Sequence, residues 1–160
     1  TPPTPPTPPT PPTPPTPPAG DVTVDLDVHP KSCPNALKLM SKGKTKVAIL
    51  GTASFDVNDI DVSTVNIAGL SPVRSKVRDV ATPWGGSMSD PISRDDCGTG
   101  RRDGFDDLML KFDTRQLIAA IGPVEAGDVV LVTIEGELID GEPFSGSDVV
   151  WIKGKSGRRR

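Results

Sequence analysis

The chain has 160 residues, with 18 Lys and Arg against 21 Asp and Glu, and its formal net charge is −3. This acidic balance argues against a nucleic-acid partner. No apolar stretch approaches the roughly twenty residues needed to cross a bilayer, so we expect no membrane span.

The first eighteen residues repeat Thr-Pro-Pro six times. Proline fixes φ and removes a backbone donor, and the residue before a proline favours extended backbone, so the segment predicts a polyproline II rod roughly 55 Å long. The period of three places every threonine on one edge. This edge predicts O-glycosylation, because Thr beside Pro suits O-linked sugar and no Asn-x-Ser/Thr sequon occurs. The predicted glycosylation sites are Thr1, Thr4, Thr7, Thr10, Thr13 and Thr16. The alternative is a semi-rigid spacer between modules.

Three regions follow from the change in composition after Gly20: a stem at 1–20, a β-sandwich domain at 21–153 and a basic tail at 154–160. The domain predicts about seven short strands. In chain order, the strand patterns are an alternating segment at 22–28, a compact apolar run at 46–52, weaker segments at 65–68 and 76–80, a buried run at 108–112, and the strongest signals at 128–138 and 143–152.

One helix and one hairpin interrupt this series. Thr114–Ile121 has a hydroxyl N-cap at Thr114 and stops at Gly122, which predicts a helix of two turns. Asp140-Gly141 between two extended segments predicts a hairpin. The resulting fold class is mostly β: an antiparallel, Ig-like β-sandwich with one short helix, preceded by a polyproline II rod.

Residues 82–102 fit no strand and predict a long surface loop that contains Trp84 and Cys97. Cys33 and Cys97 have no CxxC spacing, so thiolate metal binding is not expected. If the Pro-Thr tract indicates export, one Cys33–Cys97 disulfide would limit the entropy of this loop. Two buried free thiols are the alternative.

The domain resembles a family of extracellular β-sandwich modules that are appended to secreted and cell-surface bacterial and archaeal proteins. The similarity lies in VDLDVHPKSCPN (24–35), SKGKTKVAILGTASF (41–55), RDV (78–80) and DGFDDLMLKF (103–112), followed by residues 136–152. It implies a structural, appended role. Many such modules carry an acidic loop that looks like a calcium site, and here the loop is interrupted by residues 82–102.

Carboxylates at the edges of this interruption predict a calcium site, because calcium takes six to eight oxygen ligands. The predicted ligands are Asp79, Asp103, Asp106 and Asp107. The alternative is a solvated acidic turn, or one neutralised by Arg101 and Arg102.

Catalytic residues are not expected. His29 is the one histidine of the chain, so a metal triad of histidines or a Ser-His-Asp site would depend on it alone. The candidate recognition residue is Trp84, which could contact the Thr-Pro-Pro rod of a neighbouring copy or a sugar. For Trp151, a place in the core is the favoured interpretation.

The combined expectation is a non-enzymatic extracellular or cell-surface structural protein. Copies would assemble into a fibre or filament through a glycosylated Thr-Pro-Pro stem. The alternative is a carbohydrate-binding or accessory module tethered by its Pro-Thr linker to a secreted hydrolase.

Overall fold

A computed structural model describes residues 2–8 and 22–154. The predictions for Thr1, Thr10, Thr13 and Thr16, and for residues 155–160 of the basic tail, lie outside the described residues. Thr4 and Thr7 lie in the exposed segment 2–8, which is assigned to no helix or strand. Within the described part of the chain, no helix is both long and apolar enough to cross a membrane.

Residues 22–154, as the structure describes them, form nine strands and two helical elements. The strands are β1 (Val22–Thr23), β2 (Asp25–Val28), β3 (Ala36–Lys38), β4 (Lys44–Leu50), β5 (Ile60–Ile67), β6 (Arg74–Arg78), β7 (Asp107–Asp113), β8 (Val129–Leu138) and β9 (Pro143–Lys153). A 3₁₀ turn at Val57–Asp59 precedes β5, and helix α1 (Thr114–Ile121) lies between β7 and β8.

The strands form two sheets. The first, sheet A, has the order β1-β9-β8-β5. Strand β3 also pairs with β9, farther along the edge that β1 occupies. The second, sheet B, has the order β2-β4-β7-β6. The mostly β fold with two sheets and one helix agrees with the predicted sandwich. Pairing in sheet B and in β5-β8-β9 is antiparallel, but β1 and β3 both run parallel to β9. The expectation of a wholly antiparallel sandwich is therefore wrong at this edge.

Alternating apolar residues of both sheets meet in one core. The side chains at alternate positions of β4 and β7 face those of β5, β8 and β9, which is how a sandwich buries one face of each sheet. The largest of its fully buried side chains are Phe112, Leu37, Ile49, Ile67, Leu108, Leu110, Leu117, Ile134 and Ile152.

The alternating segment at 22–28 is two strands rather than one. Val22 and Thr23 pair with β9 in sheet A, whereas Asp25–Val28 pairs with β4 in sheet B. The chain changes sheet at the buried Val24, whose N–H still donates to the carbonyl of Ser145 at 2.8 Å. A period of two continues through this crossing, so the pattern does not reveal it.

The helix and the hairpin lie where they were predicted, but the helix cap differs. Asp113 is the N-cap of α1, and its carboxylate accepts from the N–H of Gln116 at 3.0 Å. Thr114 is instead the first helical residue, and its hydroxyl bonds that of Thr45. Gly141 has φ 91° in the turn between β8 and β9, which explains the glycine there.

The segment between β6 and β7, residues 79–106, contains no helix or strand and is called the insertion loop here. It folds over the outer face of sheet B, where Val80 and Ala81 pack on Ala48 and Leu50 in a second, smaller apolar cluster. Cys97 within the loop forms a disulfide with Cys33, as the sequence predicted, with a Cα–Cα distance of 5.7 Å.

Removing this disulfide should destabilise the domain. The bond closes 64 residues of chain, so the Cys33→Ala, Cys97→Ala double variant should lose about 3 to 4 kcal/mol of unfolding free energy, because its unfolded state gains entropy. Urea unfolding followed by circular dichroism measures the change. The matched control is Ser32→Ala, an exposed neighbour outside the bond. Equal urea midpoints for the double variant and this control would contradict the expectation.

Candidate functional site

The predicted calcium ligands lie at the two ends of the insertion loop, and the carboxylates of Asp79, Asp103 and Asp107 accept from backbone N–H groups there. Asp79 accepts from the N–H of Asp103 at 3.2 Å and from the N–H of Gly104 at 2.8 Å. Asp103 in turn accepts from the N–H of Phe105 at 3.1 Å. These bonds tie the exit of β6 to the entrance of β7, so this acidic turn closes the loop at its base.

Asp107 lies on the outer side of sheet B, under the insertion loop. Its side chain is completely buried and accepts from the N–H groups of Gly51, Val80 and Ala81 at 2.9, 2.8 and 3.1 Å. Burial raises the pKa of Asp107, although these hydrogen bonds act in the opposite direction. A Cβ at Gly51 would overlap the carbonyl oxygen of Asp106, so glycine is required where β4 ends against this carboxylate.

The four predicted ligands therefore do not converge on one point. Asp106 is exposed, Asp107 is buried among backbone donors, and Asp79 is turned toward the Asp103–Gly104 turn. Across residues 2–8 and 22–154, no group of three or more His, Cys, Asp or Glu side chains is placed to hold a metal ion. The calcium site stays a prediction.

Trp84 lies at one wall of a cleft of ≈ 330 Å³ between the insertion loop and the edge of β9. The floor is formed by Asp25 of β2 and by Ser145 and Ser147 of β9. The indole is 37% exposed, and a Cβ at Gly86 would meet it. A partly exposed ring beside carboxylates and hydroxyls is an arrangement that can bind a sugar or a proline-rich segment.

Trp151, the other tryptophan, is half-buried and is also covered by the insertion loop. The guanidinium of Arg94 lies 4.5 Å from the centre of its ring. The loop thus begins on sheet B and reaches across to sheet A, where this cation–π contact and the Cys33–Cys97 disulfide hold it.

A buried polar cluster joins the two sheets beneath the loop. Asp148 of β9 accepts from the N–H of Val28 at 2.8 Å and from the amide of Asn35 at 3.0 Å, while the same amide reaches the carbonyl of Val149 at 2.8 Å. The carbonyl oxygen of the Asn35 side chain is buried with no hydrogen-bond partner. These residues fill the stretch of the β9 edge that lies between β1 and β3.

Two carboxyls of this region carry strongly raised pKa values. Burial, followed by the charges of Asp148 and Asp107, raises the pKa of Asp27 to about 7. Burial raises the pKa of Asp148 to about 6, against the opposing effect of its hydrogen bonds. Near neutral pH the two groups titrate. Asp148 belongs to the contact between the sheets through its bond to Val28, whereas Asp27 is opposite Ala48 on the outer side of sheet B.

Sequence reasoning did not find the most prominent charged surface of the domain. The outer face of sheet B carries lysines and arginines from β4, β6 and β7, and further cations from the loops border a concavity there. The signal was present as alternate basic residues in Arg74–Arg78, but it becomes a surface only when three strands are paired in register.

Comparison with known proteins found no matching family model, no matching curated protein and no matching solved structure. The resemblance to extracellular β-sandwich modules therefore stays a prediction.

Replacing Asp27 should make stability less dependent on pH. The raised pKa means that the folded state keeps a proton which the unfolded chain has lost, so this stabilisation is full below about pH 4 and is lost as pH rises through about 7. The Asp27→Asn variant removes that loss. Its gain in unfolding free energy over the parent should grow from pH 4 to pH 8, by about 4 kcal/mol at most.

Chemical denaturation at several pH values measures this gain, with Asp106→Asn as an exposed control. A gain in unfolding free energy for Asp27→Asn that is the same at every pH would contradict the expectation.

Proposed function

We propose that the protein is a non-enzymatic extracellular structural protein, a subunit of a surface fibre. In this proposal an Ig-like sandwich is the globular bead and an O-glycosylated Thr-Pro-Pro stem links copies into a filament. The observation that carries the proposal is the position at which the chain enters and leaves the sandwich.

The chain enters and leaves at opposite ends of the same strand. Val22 pairs with Phe144 near the start of β9, and the last strand residue is Lys153 at its other end. At about 3.3 Å per residue these points are about 30 Å apart. Segments joined to the two ends would therefore run in line with the strands, which suits a bead within an elongated assembly.

Parallel pairing at this edge also determines how the bead would resist tension. Pulling on Val22 and Lys153 in opposite directions slides β1 along β9, so their hydrogen bonds are stretched together rather than opened one at a time. β3 runs parallel to β9 as well, opposite Trp151–Lys153, and extends this resistance to the far end of the strand. Such a geometry suits a protein that transmits force along its length.

The stem is consistent with this role. Residues 2–8 are exposed and lie outside any strand or helix, as a polyproline rod in solvent would. Thr4 and Thr7 are accessible there for a sugar. A coat of O-linked sugar would keep a segment without a core extended, and neighbouring copies would then be held at a regular spacing.

The direction of pulling should change the force that the bead resists. A single molecule stretched through its two termini should unfold at a higher force than one stretched from the N-terminus and a handle at Asp140, because the second geometry peels β1 from the start of β9. The length gained on unfolding from the termini should be about 200 Å with the disulfide intact and about 400 Å after reduction. Similar forces in both directions would remove the mechanical argument.

Assembly provides a direct test of the fibre. Full-length protein should sediment as large particles, and electron microscopy should show filaments, whereas the chain lacking residues 1–20 should remain small. Peptide mass spectrometry of native material should show sugar mass on the Thr-Pro-Pro segment. A full-length chain that stays monomeric and carries a bare stem would overturn the proposal.

The Trp84 cleft favours a second candidate, a carbohydrate-binding or accessory module. The ring, the carboxylate of Asp25 and the hydroxyls of Ser145 and Ser147 share one open cleft. Such a module would remain monomeric and would bind a polysaccharide through Trp84. Sedimentation and polysaccharide binding by a Trp84→Ala variant therefore separate the two functions.

A further inference from the structure

Cations line up across the outer face of sheet B. In the antiparallel register Lys111 of β7 lies between Lys46 of β4 and Arg74 of β6, which makes a row of three basic residues over three neighbouring strands. Lys76 and Arg78 of β6 lie on the same face as Arg74, because alternate residues of a strand share a side. This set of five is called the basic face.

Loops extend the basic face into a concavity. Lys31, Arg101 and Arg102 border a cavity of ≈ 690 Å³ whose other walls include Lys46 and Arg78. The same two residues also line a smaller depression of ≈ 230 Å³ that continues over Lys111 and Arg74. The two depressions adjoin, so the cations follow a furrow across the sheet rather than a flat patch.

Several carboxylates on this side of sheet B are buried or have other partners, and Asp27, opposite Ala48, is 8% exposed. Asp79 borders the cavity, but its oxygens accept from the N–H groups of Asp103 and Gly104. Asp107, opposite Arg78 in the register, is buried among three backbone donors. Within the part of the chain that the structure describes, the one ion pair is Lys44 with Asp113, at 3.8 Å, on the same side of sheet B as Lys46 and Lys111 and two positions along their strands.

Like charges placed directly opposite each other on a sheet repel, so the Arg74, Lys111 and Lys46 row costs stability in the free protein. Bound oxyanions would remove this cost. We propose that the basic face binds a linear polysaccharide that carries sulfate or carboxylate groups. The site is separate from the Trp84 cleft, and the proposal goes beyond the fibre function and does not depend on it.

A polysaccharide fits the furrow better than other polyanions do. Neighbouring strands are about 4.8 Å apart, close to the length of one sugar unit, so successive anionic sugars would meet successive cations. Met109 provides an apolar floor between Ala48 and Lys76 for the face of a sugar ring. Nucleic acid is disfavoured because no aromatic side chain lines either depression to stack with a base.

Binding to dextran sulfate and polygalacturonate, measured by calorimetry on the full chain, tests the proposal, with neutral dextran as the reference. Neutral dextran should not bind. The Lys46→Gln, Arg78→Gln variant should bind the polyanions at least about tenfold more weakly, and its logarithmic salt dependence should be shallower by roughly 1.5, since two counterion-releasing contacts are lost. Comparing dextran sulfate with polygalacturonate shows whether sulfate or carboxylate is preferred.

The matched control is Lys38→Gln, Arg115→Gln, which removes the same charge from exposed positions away from the basic face and should bind like the parent. The Arg74→Gln, Lys111→Gln pair repeats the test at the other end of the furrow if the first pair does not fold. Equal binding by the basic-face and control variants would overturn the proposal.

Two further results would reassign the ligand. Tighter binding of a single-stranded DNA oligomer than of either acidic polysaccharide would overturn the choice of polysaccharide. The second result is self-association at low salt without polysaccharide binding. If the Glu135→Gln, Glu137→Gln variant, changed on the outer face of sheet A, no longer self-associated, the occupant would be a second copy. Neither result bears on whether the stem forms fibres.

Discussion

The parallel pairing of β1 and β3 with β9 is the constraint on which the rest of the structure depends. Because both short strands lie on one edge of an eleven-residue strand, a gap is left between them opposite residues 146–150. Between β1 and β3 the chain forms β2, which belongs to the other sheet. The two sheets are thus joined by the backbone at this edge, and the buried Asp148 and Asn35 satisfy the polar groups that the gap would otherwise leave unpaired.

The insertion loop is a consequence of the same edge. It could have extended freely from β6, but Cys97 is bonded to Cys33 and Arg94 covers Trp151, so the loop lies across the junction between the sheets. Internally, Asp96 accepts from the N–H groups of Ser93 and Ser89, and these bonds lower its pKa. A long loop without regular structure is ordered here by a few specific bonds.

Most of the strands could be predicted from the sequence because each carries its own local pattern. The alternation of β8 and β9, the Asp140-Gly141 turn and the glycine that ends α1 depend on neighbours in the chain. Sequence reasoning missed β3, whose three residues form a strand only because β9 is beside them. The burial of Asp107 could not be predicted either, since it depends on backbone donors from Gly51 and Val80 that are distant in sequence. In this acidic turn the carboxylates of Asp79 and Asp103 accept hydrogen bonds from backbone N–H groups, which the sequence pattern does not show.

Net charge was the least informative of the composition arguments, because it averages two different surfaces. Glu135 and Glu137 lie on the outer face of sheet A, and the basic face lies on the outer face of sheet B, so the sandwich separates charges of opposite sign by its own thickness. Two packed sheets are about 10 Å apart, so a ligand on one face lies nearer to the charges of that face than to those of the other. A chain with a net charge of −3 can thus present a surface that attracts anions. Nucleic acid is disfavoured by the furrow itself rather than by the overall charge, because none of the described residues that line it is aromatic.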